Sequence, residues 1–142
     1  MKTKPYITLV IFLSTLIACN NKPEPKLELS NPEAFAFNIE NSWEVNSSVN
    51  AKGFLKKELN NGFSSKLFYT VNLITHAQDT IKKIFTDTLA SFQKNDFNDV
   101  QIEAQMEMDS SFAKGNYKLI FIVNDMYSKQ KKYTEVNFSL SN

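Results

Sequence analysis

From Ala34 onward, apolar and polar residues alternate. Phe35, Phe37 and Ile39 stand two apart, separated by Ala36 and Asn38. Trp43, Val45, Ser47, Val49 and Ala51 follow on one face, with Glu44, Asn46, Ser48 and Asn50 on the other. Leu67, Tyr69, Val71 and Leu73 repeat the rhythm, as do Tyr117, Leu119, Phe121 and Val123, and finally Val136, Phe138 and Leu140. The cleanest case is Val100, Ile102, Ala104, Met106 and Met108 set against Gln101, Glu103, Gln105 and Glu107. A period of two marks strands with one face buried. The breaks between runs carry turn chemistry: Gly53 as a bulge, Asn60-Asn61-Gly62 as a hairpin turn, and turns at His76–Asp79, Ser110–Gly115 and Tyr127–Lys132. The apolar faces, with Phe35, Phe37 and Ile39 among them, supply the core. Asp79–Phe92 fits two periods. Ile81, Ile84, Phe85, Thr88, Leu89 and Phe92 have helical spacing, and Asp79 or Thr80 suits an N-cap. Four β-branched or aromatic residues from Ile84 to Thr88, and a short turn from the preceding strand, favour a strand there. The pattern predicts an all-β chain of about seven antiparallel strands.

Phe112-Ala113-Lys114-Gly115-Asn116-Tyr117 leads into G-x-Y-x-L-x-F-x-V-x-D, from Gly115 to Asp125. This run resembles strand F of the immunoglobulin-like modules of bacterial envelopes. The resemblance implies an Ig-like β-sandwich over 34–142, with Tyr117 as its corner tyrosine, bonded back to upstream backbone. Leu119 would stand where antibody domains place a second cysteine. No cysteine pair exists, and Trp43 opens the second strand rather than the third. The resemblance therefore implies an architecture and no particular function.

The first residues read differently. Lys2 and Lys4 precede a 13-residue apolar run, Tyr6–Ala18, which ends in Leu16-Ile17-Ala18-Cys19. A spanning helix needs about 20 apolar residues, so this run is too short. It resembles a bacterial lipoprotein signal: a leader over 1–18, cleaved by signal peptidase II, with Cys19 then diacylated at the new N-terminus. That resemblance implies an anchor in the cell envelope, most simply at the outer membrane, with either face open. Two or more acyl chains hold firmly where one does not, at about 0.8 kcal/mol per buried CH₂. Residues 19–33 hold three of the four prolines and read as a flexible linker. About 14 residues at roughly 3.1 Å each would hold the domain up to about 40 Å from the lipid.

Charge and composition narrow the chemistry. All 16 basic residues are Lys; without the leader, 14 remain against 15 acids. No basic surplus exists to neutralise phosphates, and Arg is absent, so nucleic acid is not expected as a partner. This Lys-, Asn-, Ile- and Phe-rich, Arg-free composition resembles proteins of AT-rich Bacteroidota. In that group D-[S/T] dipeptides serve as O-glycosylation acceptors, which makes Thr80, Thr88 and Ser110 candidates, after Asp79, Asp87 and Asp109. His76 is the single histidine, with no G-x-S-x-G nearby to supply a nucleophile. With one His and one acylated Cys, a transition-metal site is not expected. Asp79, Asp96, Asp99, Asp109 and Asp125 fall at strand ends without calcium-loop spacing. Glu103 and Glu107 lie about 13 Å apart along one strand, too far for either hydrolase geometry. Gly53, Gly62 and Gly115 are isolated, so no loop cradles phosphate. No catalytic, metal or cofactor residue is assigned. Phe63, Phe97 and Tyr127 in loops, and Phe68, Ile120 and Ile122 on outer faces, could form a platform; plugs under the sheets and strands covered on both faces are the plainer reading. Trp43 reads as core. The expected function is a membrane-tethered, non-catalytic module that binds an envelope protein or glycan. The alternative is a periplasmic inhibitor or chaperone-like accessory. A small hydrolase survives only through acids meeting in space.

Overall fold

The alternating runs become eight strands in a computed structural model that describes residues 23–141. They are β1 (Glu28–Ile39), β2 (Ser42–Lys52), β3 (Lys57–Leu59), β4 (Gly62–Ile74), β5 (Thr80–Gln93), β6 (Asp99–Asp109), β7 (Gly115–Asp125) and β8 (Lys131–Leu140). Residues 1–22, with Cys19 and the expected leader, lie outside the described residues. No helix occurs among the described residues. Asp79–Phe92, where helix and strand periods competed, is strand β5, paired along β4 from Gln93 to Thr80.

All pairings are antiparallel. One sheet runs β1-β2-β6; the other runs β3-β4-β7-β8, with β5 on the opposite edge of β4. Thus β1, β2 and β6 take the places of strands A, B and E of an Ig-like sandwich, and β8, β7, β4 and β5 those of G, F, C and C′. The eighth strand is β3, three residues closed onto β4 by the Asn60-Asn61 turn. Tyr117 opens β7, the F strand, and its hydroxyl donates to the Ala113 carbonyl four residues upstream.

The core lies between the sheets. Trp43, Val45, Val49, Ile102 and Met108 face Leu67, Val71, Leu73, Leu119, Phe121 and Val123, all buried. Each such side chain contributes about 1.5–3 kcal/mol. Phe54 and Phe97 close one pole, with ring centroids 5.7 Å apart; Phe112, Tyr117 and Phe138 close the other. Among the described residues, every fully buried large side chain lies between Leu27 and Leu140.

Two expectations about the N-terminal part are corrected. The domain does not begin at 34: Leu27 is fully buried and β1 starts at Glu28. The Gln130 side chain accepts from Leu27 N (2.9 Å) and donates to the Pro25 carbonyl (2.7 Å), fixing this segment to the β7–β8 turn. Gly53, at φ +67°, admits the same segment, since a Cβ there would lie 2.0 Å from the Lys26 carbonyl oxygen. The second correction concerns β1. Leu29 pairs with Ala51 and faces inward, but the register shifts by one residue between Ser30 and Glu33. Asn31 sits there at φ 49°, a conformation Asn tolerates, followed by Pro32. One extra residue reverses the side-chain parity. Ala34 and Ala36 then face the core opposite Ser47 and Val45, while Phe35, Phe37 and Ile39 face solvent.

One contact ties the sheets and carries a pH prediction. Tyr69 of β4 is buried, and its hydroxyl donates to the Glu103 carbonyl of β6 at 2.6 Å. Desolvation, then the charges of Asp87 and Glu103, push its pKa up to about 12. Below pH 10 the phenol is neutral in both states and stability is independent of it. Above pH 10 the unfolded phenol ionises while the folded one keeps its proton, so stability falls as pH rises. The loss is at most about 2 kcal/mol once pH passes 12, because solvent screens part of the shift. Urea midpoints from pH 8 to 12 should show this decline, and Tyr69→Phe should flatten it.

Candidate interaction face

The bulge in β1 builds the most distinctive surface of the molecule. Phe35, Phe37 and Ile39 are 59%, 55% and 43% exposed on the outer face of β1-β2-β6. Large apolar residues at a sheet edge ordinarily turn inward, and edges are usually blunted by charge. Here small alanines occupy the inward positions, where β1 passes close to β8 without pairing to it.

The register sets out the rest of the face in rows. Phe35 lies beside Asn46 and then Gln105; Phe37 beside Glu44 and Glu107; Ile39 beside Ser42 and Asp109; Glu33 beside Ser48 and Glu103. A shallow groove of about 320 Å³ runs past Glu33, Phe35, Asn46, Gln101, Glu103 and Gln105. Among the described residues seven carboxylates share this face (Glu28, Glu33, Glu44, Asp99, Glu103, Glu107 and Asp109) against one lysine, Lys52, which pairs with Glu28 at 3.1 Å. Glu44 and Glu107 stand directly opposite each other, an arrangement that costs stability. Asn46 donates to the Glu44 carboxylate at 2.7 Å and so relieves part of the repulsion. The face is thus an apolar stripe bordered by acid.

The residues singled out in sequence do not converge. Thr80 and Thr88 are exposed on β5, and Ser110 is exposed in the β6–β7 loop. Asp87 accepts from the Thr88 amide, and Asp109 accepts from the Ser111 amide and hydroxyl, which holds the Asp109 carboxyl below its usual range. His76 is exposed in its turn and packs on Gly115, where a Cβ would lie 2.3 Å from Nδ1. Of the five strand-end aspartates, Asp96 pairs with Lys56 and Asp125 is buried among backbone amides. Among the described residues no three His, Cys, Asp or Glu side chains come together as a metal site. Phe97 is a core plug, Phe63 packs partly buried on the core, and Tyr127 is half-buried. Phe68, Ile120 and Ile122 are half-buried on the outer face of the larger sheet, shielded by their neighbours.

No protein-family model matches the chain. No curated protein matches it in sequence. Two solved structures align with the chain at low identity. One is a Northeast Structural Genomics Consortium target, SoR45, with 8% identity over 81% of this chain and 85% of that one, at a TM-score of 0.40. The other is a protein from Archaeoglobus fulgidus, with 9% identity over 81% of this chain and 99% of that one, at a TM-score of 0.36.

The Phe35–Phe37–Ile39 face was missed in sequence because alternation groups residues without saying which group is inside. One signal was present: Asn31-Pro32 within the run is bulge chemistry, and a bulge reverses the parity beyond it.

Proposed function

We propose that this protein is a membrane-tethered, non-catalytic binding module of the cell envelope, lipid-anchored through Cys19, whose partner docks on the outer face of β1-β2-β6. One observation carries the reading: a β-bulge turns three large apolar side chains out to solvent and alanines in. Their exposed area is roughly 300 Å², worth about 7 kcal/mol before the costs of association. That lies within the range of functional patches. The seven surrounding carboxylates select a partner protein with a basic surface and discourage an anionic one.

Two experiments test the two halves. Alkyne fatty-acid labelling of the chain in its native host should mark the wild type and leave Cys19→Ala unmarked; no label on the wild type ends the tether. A photo-crosslinking amino acid at Phe37 should yield a discrete protein adduct, absent with the same group at Asn137 on the opposite sheet. Phe35→Ser with Phe37→Ser should lower partner affinity at least 30-fold while leaving the thermal midpoint almost unchanged, because both rings are more than half exposed. Equal crosslinking at both positions would remove this face as the site.

A further inference from the structure

We propose that the pole where the chain comes in from Cys19 is itself a membrane-facing surface, built to rest on anionic lipid headgroups. The proposal rests on the tether reading but stands on separate observations. The first is distance. Pro25, six residues after Cys19, is already bonded to Gln130 of the β7–β8 turn. Six residues span at most about 20 Å, so an anchored chain holds this turn close to the bilayer surface.

The second is charge. Lys57, Lys66, Lys129 and Lys131 are exposed around the same turn. The Met126 amide donates to the Lys66 carbonyl, the Lys57 ammonium lies 4.2 Å from the Tyr127 ring centroid, and Lys131 pairs in register with Asn124. Among the described residues none of these four lysines forms an ion pair. The carboxylates of this pole are mostly engaged. Glu28 pairs with Lys52, Asp96 with Lys56, and Asp125 is buried. Asp99 lies beside Lys52, Glu58 alternates to the opposite side of β3 from Lys57, and Glu24 is exposed on the incoming segment.

The third is apolar exposure. Leu59, Phe92 and Met126 are each about half exposed and lie alongside the first five residues of β4: Leu59 opposite Gly62, Phe92 opposite Ser64, and Met126 bonded at Lys66. Apolar tips among lysines suit the headgroup boundary, where the lysines meet phosphate and the tips enter the acyl edge. The acidic β1-β2-β6 face is repelled from the same surface, so the charge distribution turns the binding face away from the lipid.

The test uses the chain from Asn20 onward, which contains all eight strands and lacks Cys19. It is mixed with vesicles of phosphatidylcholine alone or with 30% phosphatidylglycerol. Binding is expected to the anionic vesicles only, weakening at least tenfold between 50 and 300 mM salt. Lys57→Gln with Lys129→Gln and Lys131→Gln should lower it at least tenfold. Lys82→Gln with Lys83→Gln and Lys114→Gln, which removes the same charge elsewhere, should retain it. Met126→Ser with Phe92→Ser should weaken binding at low and high salt alike. Equal loss in the two lysine variants, or no preference for anionic vesicles, overturns the proposal. Neither result touches acylation, which the fatty-acid label reads separately.

Discussion

Phe121→Ala is expected to cost about 3–5 kcal/mol and lower the thermal midpoint by roughly 12–20 °C. Phe121 is fully buried at the centre of β7, between β4 and β8, in register with Val71 and Thr134. Its removal leaves a void that neighbours on fixed strands cannot close, so the lost transfer energy and the cavity add. Domains of this size are stable by about 5–15 kcal/mol, so the change takes a large share of the total. The urea midpoint should fall with little change in slope. A loss under 1 kcal/mol would mean that the two sheets pack more loosely than the structure shows.

Asp125→Ala should cost about 3 kcal/mol by another route. The buried Asp125 carboxylate accepts from Leu55 N (2.7 Å), Tyr127 N (2.9 Å), Ser128 Oγ (2.7 Å) and Ser128 N (3.4 Å). It joins the loop after β2 to the turn before β8. Truncation leaves buried donors without a partner, and each costs about 1–3 kcal/mol unless water reaches it. The damage is local, so hydrogen exchange should speed up at Leu55 and Tyr127 while Leu119 and Val123 stay protected. Uniform loss of protection would make this carboxylate part of the global core instead. Because the same turn carries Lys129 and holds Gln130 against Pro25, this variant should also weaken the binding to anionic vesicles.

Phe121 and Asp125 differ in how far the sequence reveals their place. Phe121 belongs to a run whose alternation names its face outright, since β7 is central in its sheet and has one inner side. Asp125 continues the same alternation inward, yet as an aspartate at a strand end it reads as a turn residue. Its burial depends on Leu55, 70 residues away in sequence, whose amide supplies one of the bonds that make a carboxylate tolerable there. No local pattern carries that information.

The sequence by itself determined the all-β class, the strands wherever one face is strongly apolar, and the hairpin at Asn60-Asn61. Local spacing decides these, because side chains two apart share a face whatever the partner strand. Tertiary structure decided which face of β1 is inside, that β5 is a strand rather than a helix, and which lysines share a pole. Parity past a bulge is fixed by pairing: Trp43 and Val45 must be buried, so Asn38 and Ala36 opposite them turn inward and the phenylalanines turn out. The lysines of β3, β4 and the β7–β8 turn are scattered over 75 residues of sequence, and antiparallel pairing gathers them at one end.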